Sequence, residues 1–410
     1  TCGRRPAAAA ALSRCLQTGA SARFRQDSKN TESLCVLSLH APHALESPRS
    51  LFAARILHPH RVSMTRQVKA VALISGGLDS LLAACVVMEQ GVHVEGINFY
   101  TGFCVEGHTH AIRKKDRARP KRNNALWSAE QLGIKLHIVD IIDEYKDVVI
   151  NPKHGYGSNL NPCLDCKIFM VNKAREWIEA NGFDFIITGE VVGQRPMSQR
   201  KDTLPVIARD SGAGERLVRP LCARNLPPTL PETEGWLDRE KLYGFNGRSR
   251  KPQIALAKQF GFEDFAQPAG GCCFLTDKQY SVKLADLWST RGTREYDLDD
   301  IMLLKVGRHL RPRPHFKLIV GREEGENRFL EGYRKRFINI IPASHTGPLV
   351  LLDGEVDADD IELAARLAAR FSQGRDAQHV TVSVNRPGGE TESLEVVPMP
   401  SEEIPEAWYV

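Results

Sequence analysis

A glycine-rich turn near residue 76 has the composition of a phosphate-binding loop. Residues 75–80 read Ser-Gly-Gly-Leu-Asp-Ser and follow a nearly continuous apolar run. Glycines let the backbone approach a phosphate and point N–H groups at it, and a helix starting there adds the partial positive charge of its N-terminus. The spacing matches neither the Walker A pattern nor GxGxxG. We predict that Ser75, Gly76, Gly77 and Ser80 bind phosphate and that Asp79 helps to hold Mg²⁺.

Four cysteines form two pairs that could hold a metal or carry sulfur. Cys163 and Cys166 follow Pro162, which suits the start of a helix, so both thiols would share one face of the first turn. The positive end of a helix favours the thiolate form of cysteine. Much later in the chain, Cys272 and Cys273 come directly after two glycines, on a turn that we expect to be flexible.

These cysteines allow three kinds of site. Three thiolates would hold a 4Fe–4S cluster with one iron open to an outside ligand, whereas four thiolates would make a closed zinc site. Cys163 and Cys166 could also form a catalytic disulfide or carry a persulfide. We favour the cluster, with Cys163, Cys166 and either Cys272 or Cys273 as metal ligands.

Alternating strands and helices must position these residues. The apolar runs predict strands at residues 69–75, 92–100, 136–140 and 185–188, with helices at 78–90, 123–132 and 163–181 between them. This alternation is typical of a doubly wound parallel sheet, and ligands bind such sheets at the carboxyl ends of the strands. We therefore predict an α/β domain over residues 67–275 that carries both the loop and the cysteine site.

The pattern changes after residue 277. Segments 299–306, 316–320 and 349–352 read as short strands or buried segments, residues 357–371 as an amphipathic helix, and residues 380–384 as another strand. We predict a separate C-terminal α+β domain over residues 280–410.

The charge of the chain is unevenly placed. The 410 residues carry a net charge of +5, yet residues 1–66 alone hold 10 Lys and Arg against 3 Asp and Glu. We expect these residues to be a disordered leader, either an extension from a misassigned start or a targeting segment. Because the rest is close to neutral, any contact with RNA must come from a local patch.

The sequence also indicates where the protein works. No run of about 18 apolar residues occurs, so we predict no membrane span. A CxxC pair, a vicinal cysteine pair and the lack of a convincing secretory signal favour a reduced compartment. We therefore expect a cytoplasmic protein.

The motifs together resemble a known group of enzymes. The Ser-Gly-Gly-Leu-Asp-Ser loop resembles that of the PP-loop ATP pyrophosphatase superfamily, and the Asn-Pro-Cys-x-x-Cys segment resembles 2-thiouridylases of the MnmA type. Residues 189–199 are similar to the GExxGQxxSQ run of ThiI-type 4-thiouridine synthases, with one extra residue before Ser198. The chain thus resembles the tRNA thiolation branch of the superfamily over roughly residues 67–275.

The resemblance implies a fold like that of the adenine nucleotide alpha hydrolases and an ATP-dependent tRNA sulfurtransferase. A uridine carbonyl would be adenylated and then replaced by sulfur, with Asp79, Cys163 and Cys166 as catalytic residues. Gly189 and Gln194 would join the loop in binding ATP. The sulfur donor would be inorganic sulfide or a desulfurase-derived persulfide, and a homodimer stays open. Two alternatives are a PP-loop ligase that forms an amide or nitrile and holds structural zinc, and an RNA-binding protein that senses ATP.

Two basic segments are candidates for RNA binding. The first is a run of basic residues at positions 113–122, interrupted by Asp116. The second lies between residues 308 and 336, where basic side chains alternate with aromatic ones that could stack on bases. Within it, residues 305–322 look like the RNA-binding domain of NFACT-type proteins. For both segments, an ordinary solvated surface is the alternative.

Overall fold

The computed structural model describes residues 66–105, 123–266 and 272–410. Predictions for residues 1–65, for the basic run at 113–122 and for the glycines before Cys272 lie outside these residues. The chain divides into two compact units. We call them the parallel-sheet unit, with described residues 66–101 and 123–266, and the antiparallel-sheet unit, with described residues 102–105 and 272–410.

The parallel-sheet unit alternates strands and helices along the chain. Its elements are β1 (Lys69–Leu73), α1 (Leu78–Met88), β2 (His93–Tyr100), α2 (Asn124–Leu132), β3 (Leu136–Asp140), α3 (Ile142–Ile150), α4 (Cys163–Asn181), β4 (Phe185–Ile187), α5 (Thr203–Asp210), β5 (Leu217–Val218), α6 (Leu230–Thr233) and α7 (Lys251–Gln259). Short 3-10 turns lie at Gly214–Arg216, Ala223–Asn225 and Arg239–Lys241. Helix α4 has the predicted bounds, and Gly182 ends it in the left-handed conformation.

The sheet of this unit has the strand order β3-β2-β1-β4-β5, and all neighbouring strands are parallel. The chain moves outward from β1 in one direction through β2 and β3, and in the other through β4 and β5. The order therefore reverses between β1 and β4. In open α/β sheets, ligands bind in the crevice at the carboxyl ends of the strands at this reversal, so the loops after β1 and β4 are the expected binding loops.

Two apolar layers cover the faces of this sheet. On one face, Leu82 and Val86 of α1 pack with Ala70 and Ala72 of β1. On the other face, α4 and α5 pack against Val71 of β1 and against β2 and β3. Side chains alternate across a strand, and helices on both faces explain why the strands read as continuous apolar runs.

The antiparallel-sheet unit has ten helices and strands after residue 277. They are α8 (Lys278–Arg291), α9 (Leu298–Leu303), β6 (Arg308–Arg313), β7 (Phe316–Val320), α10 (Glu324–Glu331), β8 (Ile338–Pro342), β9 (Val350–Gly354), α11 (Ala358–Arg370), β10 (Val380–Asn385) and β11 (Thr391–Val396), with 3-10 turns at Phe274–Thr276, Ser401–Glu403 and Glu406–Trp408. The strand order is β11-β10-β8-β9-β7-β6, and neighbours are antiparallel.

One face of this sheet is covered by α11, whose Ala364, Leu367 and Ala368 pack against strands β7 to β10. Asp357 caps the helix by accepting a hydrogen bond from the backbone N–H of Asp360. The strand alternative for residues 299–306 is wrong. Asp297 accepts from the N–H of Asp300 and begins helix α9 there instead, because this capping box satisfies N–H groups that a helix start leaves without partners.

The predicted fold class is confirmed: a doubly wound parallel α/β sheet and a separate C-terminal α+β unit. Sequence reasoning did not predict the helices α3, α5 to α8 and α10 or the strands β5, β6, β8 and β11. Among the described helices, none combines the length and apolar character that crossing a membrane requires.

Candidate active site

The predicted phosphate loop connects β1 to the first turn of α1. Gly77 is the N-cap of α1, and no side chain caps the helix there, so the first N–H groups of α1 are left for a ligand. Gly76 has φ of +79°, and a Cβ on it would lie 2.6 Å from the Cβ of Asn124 and 2.7 Å from the backbone N of Ala125. The loop thus requires glycine here because α2 packs directly against it.

The two serines of the loop have different surroundings. Ser80 is buried, and its hydroxyl donates to the carbonyl oxygen of Gly77 at 2.8 Å. The backbone N–H of Ser75 donates to the Ser80 hydroxyl at 3.3 Å. Ser75 itself is exposed. Ser80 therefore holds the shape of the loop, whereas the Ser75 hydroxyl, 3.4 Å from that of Ser80, lies on the solvent side of the loop.

Gly189 follows β4 and lies against the start of α1. A Cβ on it would come within 2.5 Å of the backbone carbonyl of Asp79 and of the N of Ser80. A side chain cannot fit without moving the helix. The structure thus brings Gly189 to the phosphate loop. This agrees with the strand order, which reverses between β1 and β4, because the loop follows β1 and Gly189 follows β4.

Asp79 is the centre of a polar network. The Nε2 of Gln194 donates to its Oδ2 at 2.7 Å, and Arg250 donates to the same oxygen at 3.3 Å. The Nε2 of the fully buried Gln253 in turn donates to the Oε1 of Gln194 at 2.8 Å. Among the described residues, the buried Oδ1 of Asp79 has no hydrogen-bond partner.

Burial raises the pKa of the Asp79 carboxyl, and the nearby Arg250, Gln194 and Arg195 compensate only in part. A carboxylate with one unsatisfied oxygen in a partly buried site gains by binding a cation. Carboxylate oxygen is a ligand that Mg²⁺ prefers. The free Oδ1 therefore fits the predicted role of Asp79 in holding Mg²⁺.

Glu190, next to Gly189, lies in a second and more deeply buried network. Its Oε2 accepts from Arg219 at 2.8 Å and from the hydroxyl of Thr188 at 3.0 Å. The Nζ of Lys167, in the turn after the CxxC pair, lies 3.8 Å from its Oε1. Burial raises the pKa of Glu190, but Arg219 and Lys167 outweigh burial and hold the pKa below its ordinary value.

Cys163 and Cys166 lie on the first turn of α4, as predicted, and both are partly exposed. The thiol of Cys163 lies 3.6 Å from the hydroxyl of the buried Ser198. Asp165 lies between the two cysteines in the sequence. Its Oδ2 accepts a hydrogen bond from the backbone N–H of His154 at 2.9 Å, and its Oδ1 lies 2.8 Å from the Nδ1 of the His154 ring. The structure therefore joins the CxxC pair to the 189–199 segment.

Cys272 and Cys273 belong to the antiparallel-sheet unit. Cys273 pairs with Cys104 in an isolated antiparallel bridge, and the N–H of Val105 donates to the carbonyl of Cys272 at 3.4 Å. Sequence reasoning left Cys104 unassigned, since nothing in its own surroundings points to a distant partner.

The predicted cluster requires at least three cysteine thiols to lie close together. In the described part of the chain, no group of three or more His, Cys, Asp or Glu side chains is placed to hold a metal ion. Cys163 and Cys166 provide two thiols in one unit, and a 4Fe–4S cluster needs three or four ligands. The arrangement does not by itself fit a cluster, so the set Cys163, Cys166, Cys272 and Cys273 stays a prediction.

The second basic segment is not one exposed patch. His309 and Lys317 are buried, and Lys317 lies 3.5 Å from Asp353. Many of the remaining arginines are paired with carboxylates: Arg311 with Asp286, Arg313 with Asp360, Arg322 with Glu326 and Arg336 with Asp299. These pairs reduce the positive charge that the segment offers to a phosphate backbone.

Sequence reasoning missed Arg250, Gln253 and His154. Arg250 and Gln253 lie at the start of α7. Arg250 contacts Asp79 of the loop, 171 residues earlier, and Gln253 contacts Gln194, and no spacing in the sequence links them to these partners. His154 lies only 11 residues before Asp165. Asp165 stands between the two cysteines, and a carboxylate in that position needs a hydrogen-bond partner, so a nearby histidine could have been considered.

Two family models match the chain. Residues 65–225 match the model described as thiamine biosynthesis protein (ThiI). Residues 307–409 match the model described as the RNA-binding domain of NFACT proteins. The second match confirms the resemblance noted for residues 305–322 and extends it over nearly all of the C-terminal sheet.

Curated relatives match the first part of the chain. The tRNA-specific 2-thiouridylase MnmA of Petrotoga mobilis is 34% identical over 127 residues, which are 30% of this chain and 35% of the relative. MnmA of Pseudomonas putida is 25% identical over 221 residues, which are 52% and 54% of the two chains. The chain thus spans about half or less of the length of these relatives.

A solved structure described as a 4-thiouridine synthetase–RNA complex with bound ATP is 23% identical, with a TM-score of 0.35, and the match covers 52% of this chain and 46% of that one. That TM-score is too low to support a shared overall fold. The sequence matches and the loop geometry together show that residues 65–225 resemble the PP-loop tRNA thiolation family.

Proposed function

We propose that this chain is an ATP-dependent tRNA sulfurtransferase that makes a thiouridine. A uridine carbonyl oxygen attacks the α-phosphorus of ATP, and pyrophosphate leaves. Sulfur then attacks the activated carbon, and AMP leaves with the former carbonyl oxygen. The observation that carries the proposal is the network of Asp79, Gln194 and Arg250 at the phosphate loop, together with the family match over residues 65–225.

The loop residues divide the work of binding ATP. The uncapped N-terminus of α1 offers backbone N–H groups to the departing pyrophosphate. Ser75 donates its hydroxyl to a phosphate oxygen, while Gly76, Gly77 and Ser80 keep the loop in shape. Gln194 and Arg250 orient Asp79, which would hold Mg²⁺. A bound Mg²⁺ would neutralise charge on the phosphates.

Gly189 supports ATP binding indirectly in this proposal. Its close approach to Asp79 and Ser80 fixes the distance between β4 and α1. Gln194 follows in the same segment and reaches Asp79 from there. The role of Gly189 is thus to bring the Gln194 amide to the loop rather than to contact the nucleotide through a side chain.

Cys163 and Cys166 are the proposed sulfur-handling residues. They are partly exposed at the positive end of α4, which favours thiolate chemistry. By contrast, burial raises the pKa of the Cys222 thiol to about 12, which leaves that thiol unreactive. A 4Fe–4S cluster, with zinc as the alternative, is the proposed use of the CxxC pair together with Cys272 or Cys273.

The proposed RNA substrate rests on the C-terminal unit. Residues 307–409 match an RNA-binding domain, and the curated relatives of the first part are tRNA-specific thiouridylases. A chain that joins a nucleotide-activating domain to an RNA-binding one is suited to modify RNA. We therefore propose tRNA as the partner.

The test is pyrophosphate release with tRNA, ATP and sulfide. We expect Asp79→Asn to lower the rate at least a hundredfold, because the amide cannot hold Mg²⁺ as a carboxylate does, whereas Gln194 can still donate to it. Asp202→Asn, which removes a 62% exposed carboxylate in the same unit, should leave the rate unchanged. Mass spectrometry of the tRNA nucleosides then identifies the product.

The same assay separates the proposal from its alternatives. Pyrophosphate release without tRNA, on a small carboxylic acid, would favour the amide- or nitrile-forming ligase. ATP binding without any pyrophosphate release would favour an RNA-binding protein that senses ATP. Equal rates for Asp79→Asn and the wild type would refute the assigned role of the loop.

A further inference from the structure

The antiparallel-sheet unit contains a cavity of about 570 Å³ that the proposed reaction does not use. Four arginines and two aromatic rings contribute to its lining. They are Arg308, Arg322, Arg370, Arg375, Phe371 and Tyr409. Volumes of this size hold a ligand of a few dozen atoms at most, so the cavity is a pocket for a small group and not a groove for a duplex.

Most of the positive charge in this cavity is not neutralised by carboxylates. Arg322 pairs with Glu326 at 2.7 Å. Within the described ranges, no carboxylate oxygen lies within 4 Å of Arg308, Arg370 or Arg375, and the Glu402 carboxylate interacts with Arg370 only from a greater distance. These three guanidinium groups contrast with Arg311 and Arg313 of β6, which are paired with carboxylates. Guanidinium groups that converge without counter-charges are the usual protein ligands of phosphate.

The aromatic rings add a second kind of contact. The guanidinium of Arg308 lies 4.6 Å from the ring centre of Phe371 and 6.0 Å from that of Tyr409. Tyr409 remains 42% exposed, so part of its ring is open to a ligand. Nucleic-acid bases stack on aromatic rings and on guanidinium planes. Charge for a phosphate and a surface for a base thus occur in one cavity.

We infer that this cavity binds an unpaired nucleotide of RNA together with its phosphate. The base would stack on Tyr409, and Arg370 and Arg375 would contact the phosphate. In a duplex both features cannot be reached at once, because paired bases are stacked on each other and only the backbone is open. The inference rests on the proposed function for the identity of the RNA as tRNA, whose loops and end supply unpaired nucleotides.

The test measures the affinity of the full chain for a fluorescent single-stranded oligouridylate and for duplex RNA of equal length. We expect Arg375→Gln to weaken single-strand binding about fivefold and to lower the salt dependence of log K by about 0.7, the effect of one lost phosphate contact. Tyr409→Leu should weaken binding about tenfold through lost stacking and leave the salt dependence unchanged.

The matched control is Arg386→Gln, which removes the same charge from the same unit at a residue that does not line the cavity. Its affinity should stay within twofold of the wild type. Equal losses for Arg375→Gln and Arg386→Gln would overturn the inference, as would equal losses for single-stranded and duplex RNA.

Pyrophosphate release by the same wild-type preparation separates the two proposals. Release that depends on tRNA, with no effect of the cavity variants on RNA binding, would leave the sulfurtransferase standing and refute the cavity. If the cavity variants selectively lose single-strand binding while the wild type releases no pyrophosphate, the nucleotide-binding cavity is supported and the sulfurtransferase proposal is refuted.

Discussion

Asp79 shows how a single residue acquires a role from distant neighbours. Its Oδ2 is fixed by Gln194 and Arg250, and its Oδ1 has no partner among the residues that the structure describes. An unsatisfied buried oxygen costs about 1–3 kcal/mol. Such a cost is tolerable when a ligand relieves it, and this is the physical reason for placing a cation at Asp79.

Cys163 is the residue at which the metal hypothesis is tested. We expect protein reconstituted without oxygen from iron and sulfide to bind iron and to absorb broadly in the near ultraviolet and blue. Cys163→Ala should lose both the iron and the thiolation of tRNA, because it removes one of the three thiolates proposed to ligate the cluster.

The control for this prediction is Cys85→Ala, which removes a thiol that is fully buried in the apolar core and whose pKa is raised by burial. It should keep both iron and activity. Stoichiometric zinc in place of iron would favour the closed zinc site, and full iron content in Cys163→Ala would refute the cluster.

Among the elements, the segment after β4 connects the two networks of the site. Gly189 contacts the loop through its backbone, while the adjacent Glu190 points into the unit and pairs with Arg219. Arg219 also donates to the carbonyl of Leu204 in α5 at 3.1 Å. The buried ion pair of Glu190 and Arg219 thus connects the end of β4 to α5, which packs on the sheet face opposite α1. This connection holds the start of the 189–199 segment in place.

We predict that Glu190→Gln lowers the free energy of unfolding by about 3–5 kcal/mol, because it leaves the guanidinium of Arg219 buried without a counter-charge. Urea denaturation measures the change. Glu144→Gln removes a 54% exposed carboxylate that pairs with Lys173 and should cost under about 1 kcal/mol. Similar losses for both variants would show that the buried pair does not hold the segment.

At the scale of the whole molecule, the free energy of unfolding depends on whether the buried lysines of the antiparallel-sheet unit are protonated. Lys283 donates to the carbonyls of Leu304 and Gly307 at 3.3 and 3.0 Å, and burial lowers its pKa to about 8. Burial likewise lowers the pKa of Lys305 to about 8. The charged forms are thus disfavoured in the folded state relative to the unfolded one.

The sign of the resulting pH dependence is fixed. Between pH about 8 and the ordinary lysine value of 10.5, the unfolded chain binds more protons than the folded one, so stability rises with pH. We predict that the wild type gains stability relative to Lys283→Met over this interval, measured by urea denaturation at several pH values. A difference that is constant with pH would contradict the lowered pKa. The comparison of the two proteins cancels the opposing effect of other groups.

Much of the site was predictable from local patterns. The apolar run before Ser75 and the glycines after it predict a strand, a turn and a helix, and the proline before Cys163 predicts the helix start. Each of these rests on interactions within a few residues. The contacts of Asp79 with Arg250 and of Cys163 with Ser198 join residues far apart in the chain, so no spacing revealed them.

The sequence by itself determined the doubly wound sheet, the phosphate loop and the placing of Cys163 and Cys166 on one helical turn, because backbone conformation and side-chain periodicity are local. Only the tertiary structure decided which charges are free. Arg311 and Arg313 of β6, which looked available for RNA, are paired with carboxylates, while Arg308, Arg370 and Arg375 line one cavity. Composition counts charges, but Coulomb interactions depend on distance and burial, and packing alone sets these.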